Sequence, residues 1–217
     1  MLPATARGRF GAAISVAAVA GVLLGIALHV EGPRSSPSFA LPLFHGQADW
    51  APGQRRAPAF ALRDQDGQAV SLASQRGDPL LIAFLDTAGD RRSGAIAVSL
   101  AEAEALLPRS GRPILDIISL NPAADSPARI RAAAARWHLK VPYHWLTGAS
   151  ATITRLEREY DVGRDAPAPG STGTGAPPTG TPLYLVDRSG FERAGYLYPF
   201  FPTVLARDLE RLYSEHS

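Results

Sequence analysis

The segment 79-PLLIAFLDTAGDRRSG-94 holds the strongest structural pattern in the chain. Its residues Leu80–Leu85 are six consecutive apolar residues, which is typical of a strand that is buried on both faces. A short loop follows, and apolar residues then recur with helical spacing as far as Leu107. The segment therefore predicts a buried strand that leads through a tight loop into a helix over residues 93–107.

Strand and helix patterns alternate through the rest of the chain. Asp66-Gly67 between two alternating runs predicts a hairpin, and Ser126-Pro127 is typical of a helix start. The predicted strands are 60–62, 70–72, 80–85, 114–120, 141–146, 181–187 and 194–198, and the further predicted helices are 127–138, 150–160 and 202–213. This order predicts an α/β domain with a central mixed sheet and flanking helices. Residues 164–180 are rich in Pro, Gly, Ala, Ser and Thr and are predicted to form a flexible surface loop.

The N-terminal part of the chain has the pattern of a membrane anchor. Residues 11–30 carry no charged side chain, Arg7 and Arg9 precede them, and Glu31 follows. A segment of this length crosses a bilayer, and the positive charges before it favour a cytoplasmic N-terminus. We predict a cytoplasmic segment 1–10, a transmembrane helix 11–30, a linker 31–56 and a folded domain 57–217. This predicts a single-pass protein of the cell membrane with its domain on the extracytoplasmic (periplasmic) side; a cleaved signal peptide is the alternative.

Composition excludes several kinds of site. The 217 residues include no cysteine, which removes disulfides, zinc–thiolate and iron–sulfur sites, and thiolate nucleophiles. The net charge is +2, from 22 basic and 20 acidic residues, and no basic stripe with interleaved aromatic residues is present. We therefore expect no nucleic-acid partner.

Four segments resemble the SCO/SenC family, whose members deliver copper to cytochrome c oxidase. They are FALRDQDGQAVSLASQRGDPLLIAFLDT (60–87), ISLNPAADSPARI (118–130), HWLTGASATI (144–153) and TPLYLVDRSG (181–190), in the order that the family has. The resemblance implies a thioredoxin-like fold, one N-terminal transmembrane helix, and a link to a respiratory complex.

The same resemblance implies a site that this chain has lost. The family binds copper and exchanges thiols through a Cys-x-x-x-Cys pair after the first long strand, together with one later histidine. The alignment places Gly89 and Ser93 at the two cysteine positions, and it places residues 179–180, which are not histidine, at the third. Copper binding and thiol exchange therefore do not carry over. Thr181-Pro182 stands where many thioredoxin-like proteins have a cis-proline that faces the site, although a proline that simply begins a strand fits equally well.

Two further groups of residues could form a functional site or have a structural role. His138 and His144 lie in the segment WHLKVPYHW and are candidate metal ligands, but a histidine–aromatic cluster at a helix end more often reflects packing. Ser93 at a helix start resembles a nucleophile, but there is no G-x-S-x-G motif, and we predict that Ser93 is the helix N-cap.

Several polar and aromatic side chains are candidates for the protein surface. We expect Glu102 and Glu104 to be solvated on the exposed side of their helix, and His45 to be solvated in the linker. The aromatic residues Tyr196, Tyr198, Phe200 and Phe201 form either a surface for a partner or part of the core.

These observations predict a protein that is not an enzyme, with no catalytic residue, no bound metal and no cofactor. Its expected role is to bind a protein partner during assembly of, or within, a respiratory complex such as cytochrome oxidase. The alternative is an SCO-like copper chaperone that uses ligands other than cysteine, such as His138 and His144.

Overall fold

The computed structural model describes residues 44–88, 91–108, 112–163 and 182–215. Nine strands are described, namely β1 (Ala48–Asp49), β2 (Arg55–Arg56), β3 (Ala61–Arg63), β4 (Ala69–Ser71), β5 (Leu80–Leu85), β6 (Ile114–Ser119), β7 (Tyr143–Leu146), β8 (Pro182–Val186) and β9 (Phe191–Leu197). The described helices are α1 (Arg91–Ala105), α2 (Pro127–Arg136), α3 (Ser150–Glu159) and α4 (Pro202–Ser214), and a short 3-10 helix spans Leu72–Gln75. The predicted hairpin is confirmed as β3 and β4, with Gly67 at a φ of 79° in the turn.

The central sheet is mixed, as predicted. Its strands lie in the order β1-β9-β8-β5-β6-β7, and β2 also pairs with β9. Strand β5 is parallel to β6 and antiparallel to β8, and β6 is parallel to β7. Strand β5 thus lies in the interior of the sheet, hydrogen-bonded on both sides.

The alternation of side chains along β5 divides the core into two layers. Leu81, Ala83 and Leu85 point into one layer, which α1, α2 and α4 cover. Leu80, Ile82 and Phe84 point into the other, which α3 and the β3–β4 hairpin cover. Every residue of β5 is buried, which explains why its sequence is uniformly apolar.

The N-terminal boundary of the folded unit differs from the prediction. Strands β1 and β2 lie within the predicted linker 31–56, yet both pair with β9, and Phe44 and Trp50 are buried. The folded unit therefore begins before residue 57, because this segment completes one edge of the sheet. The predicted transmembrane residues 11–30 and the predicted loop 164–180 lie outside the described residues. Among the residues that are described, no helix has the length and apolarity needed to cross a bilayer.

The opposite edge of the sheet, at β7, is also occupied. The Gln65 side chain accepts a hydrogen bond from the Trp145 N–H at 2.7 Å, and it donates a long one to the Tyr143 carbonyl at 3.5 Å. Beyond the end of β7, Arg63 and Thr147 exchange two backbone hydrogen bonds, at 3.0 and 2.7 Å. The β3–β4 hairpin is therefore held against β7 by both backbone and side-chain contacts.

Candidate functional site

Several chain segments meet at the end of the sheet where the parallel strands finish. Strands β5, β6 and β7 all have their C-terminal ends there. Strand β8 begins there and β9 ends there, because β8 is antiparallel to β5 and Pro182 pairs with Leu197. The loop between β5 and α1 and the segment between β9 and α4 therefore lie at the same end of the molecule.

Ser93 lies in this region as part of the first turn of α1. Because α1 begins at Arg91, Ser93 is the third helical residue, and the prediction that it is the N-cap is wrong. Its side chain is buried, and its Oγ accepts a hydrogen bond from the Asp86 N–H at 3.3 Å. The hydroxyl thus joins the end of β5 to the start of the helix, which is a structural role at the position of a predicted missing cysteine.

The other predicted vestigial positions are described only in part. Gly89 and Thr181 lie outside the described residues. Pro182 is the first residue of β8, a strand with partners on both sides. A proline is tolerated there because it lacks only the N–H at the start of the strand.

A buried carboxylate that sequence reasoning missed holds the loop after β5 in place. Asp125 accepts hydrogen bonds from the Thr87 N–H at 3.0 Å and from the Thr87 hydroxyl at 2.5 Å. It also accepts from the Ser119 hydroxyl at 2.6 Å and from the Trp145 indole N–H at 3.1 Å. Asp125 thereby fixes the geometry of the β5–α1 loop relative to the ends of β6 and β7.

His138 and His144, the candidate metal ligands, lie on different faces of the sheet. His138 follows α2 in the left-handed conformation, with a φ of 57°, beside Trp137 of the first core layer. The His144 Nδ1 lies 3.0 Å from Oδ1 of Asp116, a fully buried residue that alternates with the first-layer residues Leu115 and Ile117 and so faces the second layer. The structure does not bring the two histidines together.

The contact with Asp116 also gives His144 a structural role. Hydrogen bonding to Asp116 raises the pKa of His144, although partial burial opposes this. The other Asp116 oxygen accepts from the Gln75 amide at 2.6 Å. Within the described part of the chain, no group of three or more His, Asp or Glu side chains is arranged to hold a metal ion.

The four aromatic residues near the C-terminus divide between core and surface. Tyr196 and Phe200 belong to the core, with ring centroids 6.2 Å apart, so neither is part of an exposed surface. Tyr196 faces inward from β9 and donates a hydrogen bond to the buried Asp208 of α4. Tyr198 is 39% exposed and Phe201 is 75% exposed. Of the four aromatic residues, only Tyr198 and Phe201 can therefore contact a partner. They lie at the end of the sheet that carries the β5–α1 loop.

Of the side chains predicted to be solvated, His45 is 49% exposed but also contacts a buried acid. The prediction is wrong for Glu104. The His45 Nδ1 lies 2.8 Å from Asp208 Oδ1, and the His45 backbone N–H donates to the other carboxylate oxygen at 2.6 Å. Glu104 is only 2% exposed. The helical spacing predicts this burial, because Glu104 lies four residues after Leu100 and seven after Ala97 and so shares their face of the helix. Both of those residues are buried.

Comparison with known families identifies the chain. The SCO1/SenC family model matches residues 49–214, which is most of the chain. The chain belongs to the SCO1/SenC family. The start of the match at residue 49 agrees with β1 as the first strand of the folded unit. No curated protein sequence matches this chain.

Solved structures of other SCO proteins share the fold. Copper-bound ScoI of Bradyrhizobium japonicum is 24% identical, with a TM-score of 0.57 over 72% of this chain and 99% of that one. Copper-bound Sco1 of yeast is 19% identical, with a TM-score of 0.58 over 74% of this chain and 90% of that one. BsSco, a member of the Sco family of cytochrome c oxidase assembly proteins, is 20% identical, with a TM-score of 0.58 over 76% of this chain and 98% of that one. The predicted thioredoxin-like fold is thus confirmed for the described domain.

The side chains described at the β5–α1 loop of this SCO-family chain do not suit copper binding or thiol exchange. No cysteine is present in the sequence, and the described polar side chains that hold the β5–α1 loop are those of Ser93, Thr87 and Asp125. The oxygen atoms of these side chains already form hydrogen bonds that hold the loop. They are also hard ligands, whereas copper(I) prefers sulfur. The described residues therefore do not fit a copper centre at this loop.

Proposed function

We propose that this protein is a membrane-anchored, extracytoplasmic SCO-family module that binds a protein partner during assembly of cytochrome oxidase and carries out no copper or thiol chemistry itself. Residues 11–30 would form the anchor. The end of the sheet that carries the β5–α1 loop would face the partner. The role is one of recognition, so no catalytic residue and no cofactor are assigned.

One observation carries the proposal: the described loop residues 86–88 after β5 are held by hydrogen bonds without any sulfur. Ser93 closes the start of α1 onto Asp86, and Asp125 fixes Thr87 through two hydrogen bonds. A loop whose only use was reactive thiols would have no need for this ordering once the thiols were gone. The hydrogen bonds that hold residues 86–88 against α1 and Asp125 support a use of this region in binding.

Two exposed aromatic residues also favour the end of the sheet at the β5–α1 loop as the binding surface. Phe201 and Tyr198 present apolar area at the same end of the sheet as the loop. Aromatic residues are enriched among the residues that dominate interface energies.

A pull-down from native membranes tests the partner. Full-length protein, tagged and extracted in mild detergent, is expected to recover cytochrome oxidase subunits, and Phe201→Ser is expected to reduce recovery at least fivefold. Leu106→Ser is the matched control, because Leu106 is also an exposed apolar residue (54%) but lies at the end of α1. Absence of oxidase subunits from the wild-type sample, or equal recovery with Phe201→Ser, would contradict the proposal.

A copper titration of the full-length protein separates this proposal from the copper-chaperone alternative. We expect no stoichiometric binding of Cu(I) or Cu(II) at submicromolar concentration. Stoichiometric binding that disappears in His138→Ala or His144→Ala would favour the alternative and overturn the recognition role.

The proposed anchor has its own test. Native membranes washed with alkaline carbonate are expected to retain the full-length protein and to release a variant that lacks residues 1–42. Release of the full-length protein by the same wash would exclude an uncleaved transmembrane anchor.

A further inference from the structure

A pocket lies beside the second half of α1, on the side of the sheet that α2 covers. Its volume is about 320 Å³, within the range of small-ligand sites. Ala101 and Ala105 of α1 form one wall, and Trp137 and Val141 form the facing wall. Glu104 of this pocket is eleven residues after Ser93, about 16 Å along the helix axis, so the pocket is separate from the β5–α1 loop.

Glu104 is a buried carboxyl group that lines this pocket without a hydrogen-bond partner. Both of its oxygens are inaccessible to solvent, and neither has a hydrogen bond to any residue. Buried polar groups in native proteins are nearly always satisfied, so an orphaned carboxyl at a cavity is a sign of an absent partner. Burial raises the pKa of Glu104 to about 8, although the positive charge of Arg112 opposes this. Glu104 is therefore mostly protonated at neutral pH and can donate a hydrogen bond.

A second orphaned group lies at the same pocket. The Nε of Arg112 is buried, has no hydrogen-bond partner, and belongs to a pocket-lining residue. Lys140 and His138 also line the pocket, and Glu102 is the one other acid there among the described residues. With Glu104 protonated, the fixed charges are two cations and one anion, so the site favours a negatively charged ligand.

We propose that this pocket binds a small amphipathic monocarboxylate. The orphaned atoms of Glu104 and Arg112 are shielded from solvent in the free protein, so both side chains would turn toward the ligand on binding. One carboxylate oxygen would then accept the Glu104 O–H and the other the Arg112 Nε–H, and the apolar body would lie between the alanines of α1 and the edge of Trp137. A single ligand group would thereby satisfy both orphaned groups. An organic cation fits less well, because it would approach Arg112 and Lys140.

Calorimetric titration of the full-length protein at pH 7 tests the ligand class with three probes of similar shape. These are 2-naphthoate, the neutral 2-naphthamide and the cationic 2-naphthylmethylammonium; octanoate serves as a flexible second carboxylate. We expect one of the two carboxylates to bind with one-to-one stoichiometry, at least tenfold more tightly than the cation. Equal or tighter binding of the cation, or no binding of either carboxylate up to millimolar concentration, overturns the proposal.

Variants of the pocket locate the binding. Glu104→Leu and Arg112→Gln are each expected to weaken carboxylate binding at least tenfold, and Ala101→Phe is expected to abolish it by filling the cavity. Glu159→Leu on α3 is the matched control, because it removes an exposed acid and should leave the affinity unchanged. Circular dichroism and thermal unfolding of each variant confirm that it folds. Unchanged affinity in folded Glu104→Leu and Ala101→Phe would place the ligand elsewhere and refute the assignment.

Discussion

Two buried acids of this domain, Asp125 and Glu104, have opposite surroundings. Asp125 accepts four hydrogen bonds from three residues, whereas Glu104 accepts none. A buried carboxylate with a full set of donors stabilises the fold, while an orphaned one retains its proton and destabilises the fold when it ionises. The two acids are therefore expected to respond differently to substitution and to pH.

Substitution of Asp125 is expected to be costly. In Asp125→Ala the Thr87, Ser119 and Trp145 donors lose their common acceptor, and buried donors left unsatisfied should lower the free energy of unfolding by about 3 kcal/mol. Urea denaturation measures the loss. Asp66→Ala, in an exposed hairpin turn, is the control and should change stability by less than about 0.5 kcal/mol. A loss of similar size in both variants would show that the Asp125 hydrogen bonds contribute little.

Glu104 is expected to give stability a distinct pH dependence. Its pKa in the folded state is about 8, above the ordinary value of 4.5, so the folded state binds more protons than the unfolded state between these values. Its contribution to stability is therefore fully present below about pH 4.5 and is lost as the pH rises to 8. Compared with Glu104→Gln, the wild-type protein should lose on the order of 3–5 kcal/mol over this range. Parallel pH profiles of the two proteins would contradict this prediction.

Helix α4 is held by a buried cation at its C-terminal end. Arg193 of β9 donates to both carboxylate oxygens of Glu215, at 2.5 and 3.1 Å, and its guanidinium lies 5.0 Å from the ring centroid of Phe44. The Arg193 Nε also donates to the Trp50 carbonyl at 3.3 Å. One side chain thus joins β9, α4 and the N-terminal segment that precedes β2.

Removal of the partner acid should loosen this junction. Glu215→Ala leaves the buried Arg193 guanidinium with the Trp50 carbonyl and, at 3.8 Å, the Asp187 carboxylate, so we expect a loss of about 2 kcal/mol in unfolding free energy. Chemical denaturation measures it, and Glu210→Ala, an exposed acid of the same helix, serves as the control. Equal stability of the two variants would mean that the remaining partners of Arg193 compensate its charge and that Glu215 contributes little.

The helices and strands that the sequence predicts correctly are those with local patterns. The apolar run of β5, the Asp66-Gly67 turn and the Ser126 cap of α2 each carry their own signal within a few residues. Strands β1 and β2 do not, because each is only two residues long and pairs with β9, more than 130 residues away. The Asp125 network was equally inaccessible, since its donors come from three separate elements.

The whole domain is built outward from β5, and hydrogen exchange should reveal this order. Strand β5 has hydrogen-bonded partners on both sides and is buried on both faces, whereas β3 and β4 form a separate two-stranded sheet. Amides of β5 and β8 are expected to exchange only through global unfolding, and those of the β3–β4 hairpin through smaller openings. Mass-spectrometric hydrogen exchange of the full-length protein measures the order. Faster exchange in β5 than in the hairpin would contradict it.

The covering of both outer strands restricts how other molecules can engage the sheet. Strands β1 and β2 occupy the free side of β9, and the hairpin with Gln65 occupies that of β7, so the described sheet offers no long run of unpaired backbone groups. A ligand peptide cannot join it by strand addition, and two copies cannot fuse their sheets into a continuous one. The domain should consequently resist amyloid-type association when concentrated, and its specificity must come from side chains rather than from main-chain pairing.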